Sequence, residues 1–176
     1  CYLLGLKEKE SLFVTNQGNW DGKMLPTAIQ VFPFKLGRLK SGDNLLLIDE
    51  QSDLIVDRGE GTPFFDDEGQ VTDFVKKNMR LLSNLNASSV ALSRICNVIQ
   101  ELQLLEPFKL KLQKSGSETL DFGGWMRINT EAFNSLSETK FLELRRVSAL
   151  EVVFAHFYSM NCVTDLIKKL GNKFEM

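Results

Sequence analysis

The apolar residues change their period at Val71, and this change limits the chain to mixed architectures. Upstream they come in short runs, Tyr2–Leu6, Ser11–Thr15, Phe34–Leu39 and Leu45–Asp49, each bounded by turn-forming or charged residues. Short runs between such breakers are the pattern of strands and hairpins. Downstream, Val71, Phe74, Val75, Asn78, Leu82 and Leu85 follow helical spacing, and Ala91, Ile95, Val98, Ile99, Leu102 and Leu105 make a second stripe. One residue every 3.6 positions on a common face is helix.

The first seventy residues therefore predict two hairpins, one turning at Lys7-Glu8-Lys9-Glu10 and one at Lys40-Ser41-Gly42-Asp43-Asn44. Between them, Met24–Pro33 predicts a helix of one or two turns, with Pro26 in its first turn and Pro33 as its stop. Asp53–Asp57 is a candidate further strand. Thr72 is a candidate N-cap. Asn84–Ala87 predicts a break between two antiparallel helices, an αα-hairpin over 71–106 that ends at Pro107. Phe108–Gln113 and Thr119–Asn129 predict a hairpin around Ser115-Gly116-Ser117, with a bulge at Gly123-Gly124. A short helix to Leu136 follows, and then a long one from Ser137 to Leu170, closed by Gly171. The expected fold is α+β: a single domain over 1–176 in which antiparallel β hairpins pack with the αα-hairpin and a long, largely buried C-terminal helix.

Composition narrows the function classes. With 21 basic and 23 acidic residues the net charge is −2, which excludes a strongly basic nucleic-acid binder. An apolar content of 43% at that charge excludes a disordered chain. The most apolar stretch, 147–163, contains Glu151, His156 and Asn161 and is shorter than a bilayer span, so no membrane span is expected. His156 is the only histidine, so a multi-histidine metal site is impossible. Cys1, Cys96 and Cys162 form no CxxC pair. Cys96 and Cys162 lie in apolar helical stretches and read as buried free thiols, a usage that suits a reducing compartment such as the cytoplasm. The chain starts at Cys1 without methionine. A mature lipoprotein also starts at cysteine, but a polar tether normally follows, and here Tyr2–Leu6 is apolar. The start reads as that of a fragment of a longer chain, truncated at its N-terminus.

Four sets of residues are candidates for chemistry. Asp49, Glu50, Asp53, Asp57, Asp66, Asp67 and Glu68 are acidic enough for acid–base work or a cation, but neither stretch has the glycine and twelfth-position glutamate of a calcium loop. Solvated turn residues are their plainer reading. His156 sits between aromatic residues, and Cys162 lies about 240° away around the same helix, so that helix does not pair them. A hydrogen-bonded core histidine is the default, with a buried functional group as the alternative. The glycines form neither GxGxxG nor a P-loop, and GxSxG and HExxH are missing. No catalytic residue and no cofactor is assigned. Among the 13 phenylalanines, Phe64 and Phe65 stand beside carboxylates, where a partly exposed pair suits a protein interface.

Taken in order, Leu4-Gly5-Leu6, Ser11–Val14, Gly18-Asn19-Trp20, Phe32-Pro33-Phe34, Leu47–Leu54, Gly61–Gly69, Leu104–Pro107, Gly124–Asn129 and Phe154–Met160 resemble the bacterial SapC family, from about residue 3 to residue 167. The family's usual Ala-His-Leu-x-Ser-Leu is here Ala155-His156-Phe157-Tyr158-Ser159-Met160. The resemblance implies additional sequence upstream. By the family name it implies a bacterial surface-layer (S-layer) or cell-envelope setting, with halogenase-like proteins and outer-membrane receptors encoded nearby. It brings no catalytic residues. The leading expectation is a protein that acts by binding a protein partner rather than by catalysis. One rival is a small-ligand-binding or enzymatic accessory protein, with a pocket from His156, Asp49, Asp53, Asp66 and Trp125. The other is a structural or oligomeric unit joined through residues 71–106.

Overall fold

The structure is a computed structural model that describes residues 3–6, 10–56, 59, 61–113 and 119–174. It is an α+β arrangement of helices and two antiparallel two-stranded sheets. The chain divides into two compact units, Gly22–Val90 and Cys1–Asp21 with Ala91–Met176.

The unit of residues 22–90 begins with α1 (Thr27–Gln30), where the Pro26 carbonyl accepts from the Ile29 and Gln30 amides and Pro26 occupies the N-cap position. Pro33 has no amide to continue the helix. β1 (Phe34–Arg38) then pairs with β2 (Asn44–Ile48) from Phe34↔Ile48 to Arg38↔Asn44, close to the expected bounds. The first turns of α2 (Asp73–Glu101) supply Leu81, Leu82 and Leu85 to a core with Val31, Phe34, Leu36, Leu46 and Ile48. Val31, Phe34 and Leu82 are buried there, each worth roughly 1.5–3 kcal/mol of transfer free energy. Asp53–Asp57 is not a strand among its described residues. The Ser52 amide donates to Asp49 and the Ile55 amide to Ser52, so the segment turns. Asp57 lies outside the described residues.

The other unit receives the end of α2. The expected break at 84–87 is absent, and α2 is one helix of 29 residues instead of an αα-hairpin. Asn84, Asn86 and Ala87 are at worst weak helix formers that cost a few tenths of a kcal/mol each. Without Gly or Pro they do not stop propagation. What stops α2 is Gln103, not Pro107. Gln103 has φ 57°, its amide donates to Gln100, and the Leu104 amide donates to Ile99 at 3.1 Å. This is a Schellman ending, with Leu104 and Ile99 packed together in the core. Pro107 sits inside β3 (Leu105–Gln113), opposite Met126 of β4 (Thr119–Ile128), where a two-stranded sheet has an edge to spare its missing amide. The register shifts between Phe108 and Leu110 opposite Gly123-Gly124, and Gly124 has φ 86°, so the expected bulge is present. The turn residues 115–117 lie outside the described residues.

The expected long C-terminal helix is divided. α3 (Thr130–Asn134) is capped by Asn129, whose Oδ1 accepts from the Ala132 amide. α4 (Glu138–Arg146), α5 (Ala149–Met160) and α6 (Val163–Phe174) follow, separated at Val147-Ser148 and Asn161-Cys162. Ser148 has φ 57°, a left-handed conformation that ends α4. Gly171 does not stop α6, which runs on to Phe174. Nor is the region largely buried. Leu144, Ala149 and Val153 are sealed in, whereas Phe154 is 46% and Tyr158 74% exposed. α6 lays Leu166 and Leu170 on Leu12 and Phe122. The first expected hairpin has no strand ladder among the described residues. The Leu12 amide donates to Leu4 and a lone bridge joins Val14 to Trp20, while residues 7–9 of the expected turn lie outside the described residues. The two described cysteines, Cys96 and Cys162, are exposed and not buried.

Candidate functional site: an aromatic cleft

Unit 22–90 contains an open cleft of about 580 Å³. Its floor is Phe34, which meets Phe64 edge-on at 5.5 Å and Phe74 at 5.9 Å between ring centroids. Such tilted contacts set the positive ring edge against a negative face. Asn78 closes the bottom, buried on α2, its Nδ2 donating to the Phe74 carbonyl at 2.9 Å. The walls are Leu54, Ile55 and Val56 after the turn at Ser52, Phe32 before β1, and Thr62–Phe65.

A small hydrogen-bonded loop sets the position of Phe64 and Phe65. Phe65 and Val71 form an isolated bridge, the Asp66 amide donates to Gln70, and the Thr72 amide donates to Phe64 at 3.0 Å. The Thr72 hydroxyl donates to the Pro63 carbonyl. Asp66 Oδ1 accepts from the Glu68 and Gln70 amides at 3.1 and 2.7 Å. In extended backbone successive side chains point to opposite sides, so Phe64 enters the core while Phe65 stays 61% exposed. Gly61 has φ 120°, and a Cβ there would lie 3.2 Å from Val56 Cγ2, so a side chain would be both strained and crowded.

A polar cluster occupies the other unit beside a 400 Å³ hollow lined by Glu106, Arg127, Asn129, Thr130, Glu131 and Met160. Glu106 accepts from Arg127 Nε and from Asn129 Nδ2, both at 2.6 Å. Arg127 also lies 5.5 Å over the Phe108 ring. His156 Nε2 accepts from the Ile128 amide at 3.2 Å. An acceptor nitrogen is unprotonated, which leaves the proton on Nδ1. Burial, and secondarily the Arg127 charge, hold this imidazole below the usual histidine range.

The residues singled out from the sequence fall as follows. Asp49, Asp53, Asp66, Phe64 and Phe65 belong to unit 22–90, whereas Trp125 and His156 belong to the other. Asp49 accepts from the Gln51 amide, and Asp66 closes its own loop. Asp53 is exposed in a turn. Trp125 is half-buried and stacks on Phe108 at 6.4 Å. His156 is engaged with backbone. Among the described residues, no group of three or more His, Cys, Asp or Glu side chains is placed to hold a metal ion, and no helix is long and apolar enough to cross a membrane. Phe74, Asn78 and Leu54–Val56 were not foreseen at a site. The one signal was Asn78, a polar residue in an otherwise apolar helical stripe.

The model of the SapC family matches residues 1–166, and the chain belongs to that family. No curated protein and no solved structure matches it.

Proposed function

We propose that this SapC-family chain is a binding protein without catalytic activity of its own, and that it holds a protein partner in the aromatic cleft of residues 22–90. One observation carries the reading. Phe32-Pro33-Phe34, Leu47–Leu54 and Gly61–Gly69, three of the segments that mark the family resemblance, come together around one hollow, and their apolar side chains are left in water. Leu54 is 66%, Phe65 61% and Phe32 45% exposed, and Val56, a wall residue just beyond the second segment, is 55% exposed. Large apolar side chains gathered at a rim with a buried aromatic floor are the anatomy of an interface. The family name supports a cell-envelope or surface-layer setting for that partner.

The test is a photo-reactive amino acid placed at Phe65, with exposed Lys140 as the control position. The expected result in the native host is a specific protein adduct at position 65 that disappears in Leu54→Ser. Adducts equal at both positions refute the reading. A second reading is favoured by size, since 580 Å³ lies within the range of small-molecule sites. Native mass spectrometry of protein isolated from the host separates the two, because a small ligand shows as a fixed mass increment that Leu54→Ser removes.

A further inference from the structure

The charges around the cleft narrow the chemistry of its occupant. Between Asp49 and Asp73 the sequence has nine Asp or Glu residues against one base, Arg58. The chain as a whole is nearly balanced at −2, so this is a local concentration of charge. It coincides with the cleft. Asp53 directly precedes the wall residue Leu54, Asp66 follows Phe65, and Asp73 precedes Phe74. Asp53, Asp66, Asp67, Glu68 and Asp73 are all exposed. Seven Lys and Arg residues lie elsewhere in the described part of this unit, and none of them lines the cleft. One of them, Lys76, lies 3.5 Å from Asp73 in a contact between exposed side chains and offsets that charge, which leaves Asp53, Asp66, Asp67 and Glu68 as the exposed charges beside the wall residues.

We infer that the occupant of the cleft is a polypeptide segment with an apolar anchor, aromatic or aliphatic, flanked by lysine or arginine. The inference rests on the binding role proposed above and specifies its partner. The aromatic floor takes the anchor, and the exposed carboxylates that adjoin the wall residues Leu54 and Phe65 in the chain attract the flanking cations. Complementary charge of this kind chiefly raises the rate of encounter and rejects anionic competitors, while the buried anchor sets the lifetime of the complex. Apolar segments flanked by carboxylates, and anionic lipid surfaces, are disfavoured by the same field.

Three fluorescein-labelled synthetic peptides test this by anisotropy against the whole chain: Leu-Phe flanked by two lysines on each side, Leu-Phe flanked by glutamates, and Ser-Ser flanked by lysines. At low ionic strength the first is expected to bind about tenfold or more tighter than either control, and its advantage over the glutamate peptide shrinks with added salt. Combined Asp53→Asn, Asp67→Asn and Glu68→Gln reduces that advantage about tenfold, whereas Phe65→Ser weakens the lysine-flanked Leu-Phe peptide at every salt concentration. Asp66 is left in place because its carboxylate holds the loop. Circular dichroism checks that each variant is folded. Equal binding of the glutamate and lysine Leu-Phe peptides overturns the charge rule and leaves the cleft reading standing. Equal binding of the Ser-Ser and Leu-Phe peptides removes the anchor and with it both readings. If no peptide binds while sedimentation shows self-association that Phe65→Ser abolishes, the occupant is a second copy of the chain and the inference is wrong.

Discussion

His156→Leu is expected to destabilise the protein at neutral pH, through one stranded backbone amide. Ile128 is 6% exposed, and its N–H points to His156 Nε2 at 3.2 Å. Leucine is similar in size to the imidazole, so the cavity term is small, but it offers no acceptor. An amide left unsatisfied in a buried position costs about 1–3 kcal/mol. His156→Gln keeps a side-chain acceptor and should recover part of the loss. The same contact has a pH signature. Burial and Arg127 lower the folded-state pKa below the unfolded value of about 6.5. The contribution is therefore complete above about pH 6.5. It falls as pH drops from there through the folded-state pKa, because the unfolded chain takes up the proton first. Urea unfolding followed by circular dichroism at a series of pH values reads both effects, and hydrogen exchange at the Ile128 amide reports on the bond itself. The informative quantity is the difference between wild type and His156→Gln. If the leucine variant matches wild type at pH 7.5, or if the glutamine variant keeps the full slope between pH 6.5 and 5, the imidazole does not hold this strand and the reasoning fails.

Three further substitutions follow from local structure. Gln103→Gly should raise stability by about 0.5–1 kcal/mol, since the left-handed Schellman position costs a side-chain-bearing residue more than the freedom glycine loses, and a higher thermal midpoint is the readout. Asn129→Ala removes the cap of α3 and one of the two donors to Glu106, so a loss of about 1–2 kcal/mol in urea unfolding is expected. Phe34→Ala hollows the floor of the cleft and should cost about 3–5 kcal/mol, with the damage reported by exchange of amides in β1 and β2.

Hairpins with local turn chemistry were legible in the chain, as 34–38 with 44–48 shows. The bulge was legible too, because two adjacent glycines in a strand have few other uses. Helix ends were not. α2 continues through Asn84–Ala87 because neither asparagine nor alanine breaks a helix, and it stops at Gln103, a residue with no outward sign of a left-handed conformation. Ser148 interrupts the C-terminal helix in the same unannounced way. Backbone conformation at such points is imposed by packing, here that of Ile99 and Leu104, which no single-residue preference encodes. The same applies to the cysteines: an apolar neighbourhood in sequence put Cys96 and Cys162 inside, but Cys96 lies on an exposed face of α2 and Cys162 in the turn between α5 and α6, and both are exposed. Of the cleft, the Phe64-Phe65 pair and the acidic residues were visible. Their meeting with Phe34, Phe74 and Asn78 depends on the fold.

The segments that mark the family resemblance differ in what folding asks of them. In the unit around His156 their polar groups are engaged: Glu106 with Arg127 and Asn129, His156 with a strand amide, Asn129 with a helix start. Stability alone accounts for those side chains. In residues 22–90, Phe34 and Phe64 are likewise held by packing, but Phe65, Leu54 and Val56 are not. Single exposed apolar residues are common on protein surfaces and need no reason. Several of them around one concave opening, beside a floor where Phe34 packs against Phe64 and Phe74, keep unburied an area that yields about 25 cal/mol per Å² when something covers it. Folding does not collect that free energy, whereas a partner bound there would. The cleft is therefore where sequence and stability part company, and function is best sought there.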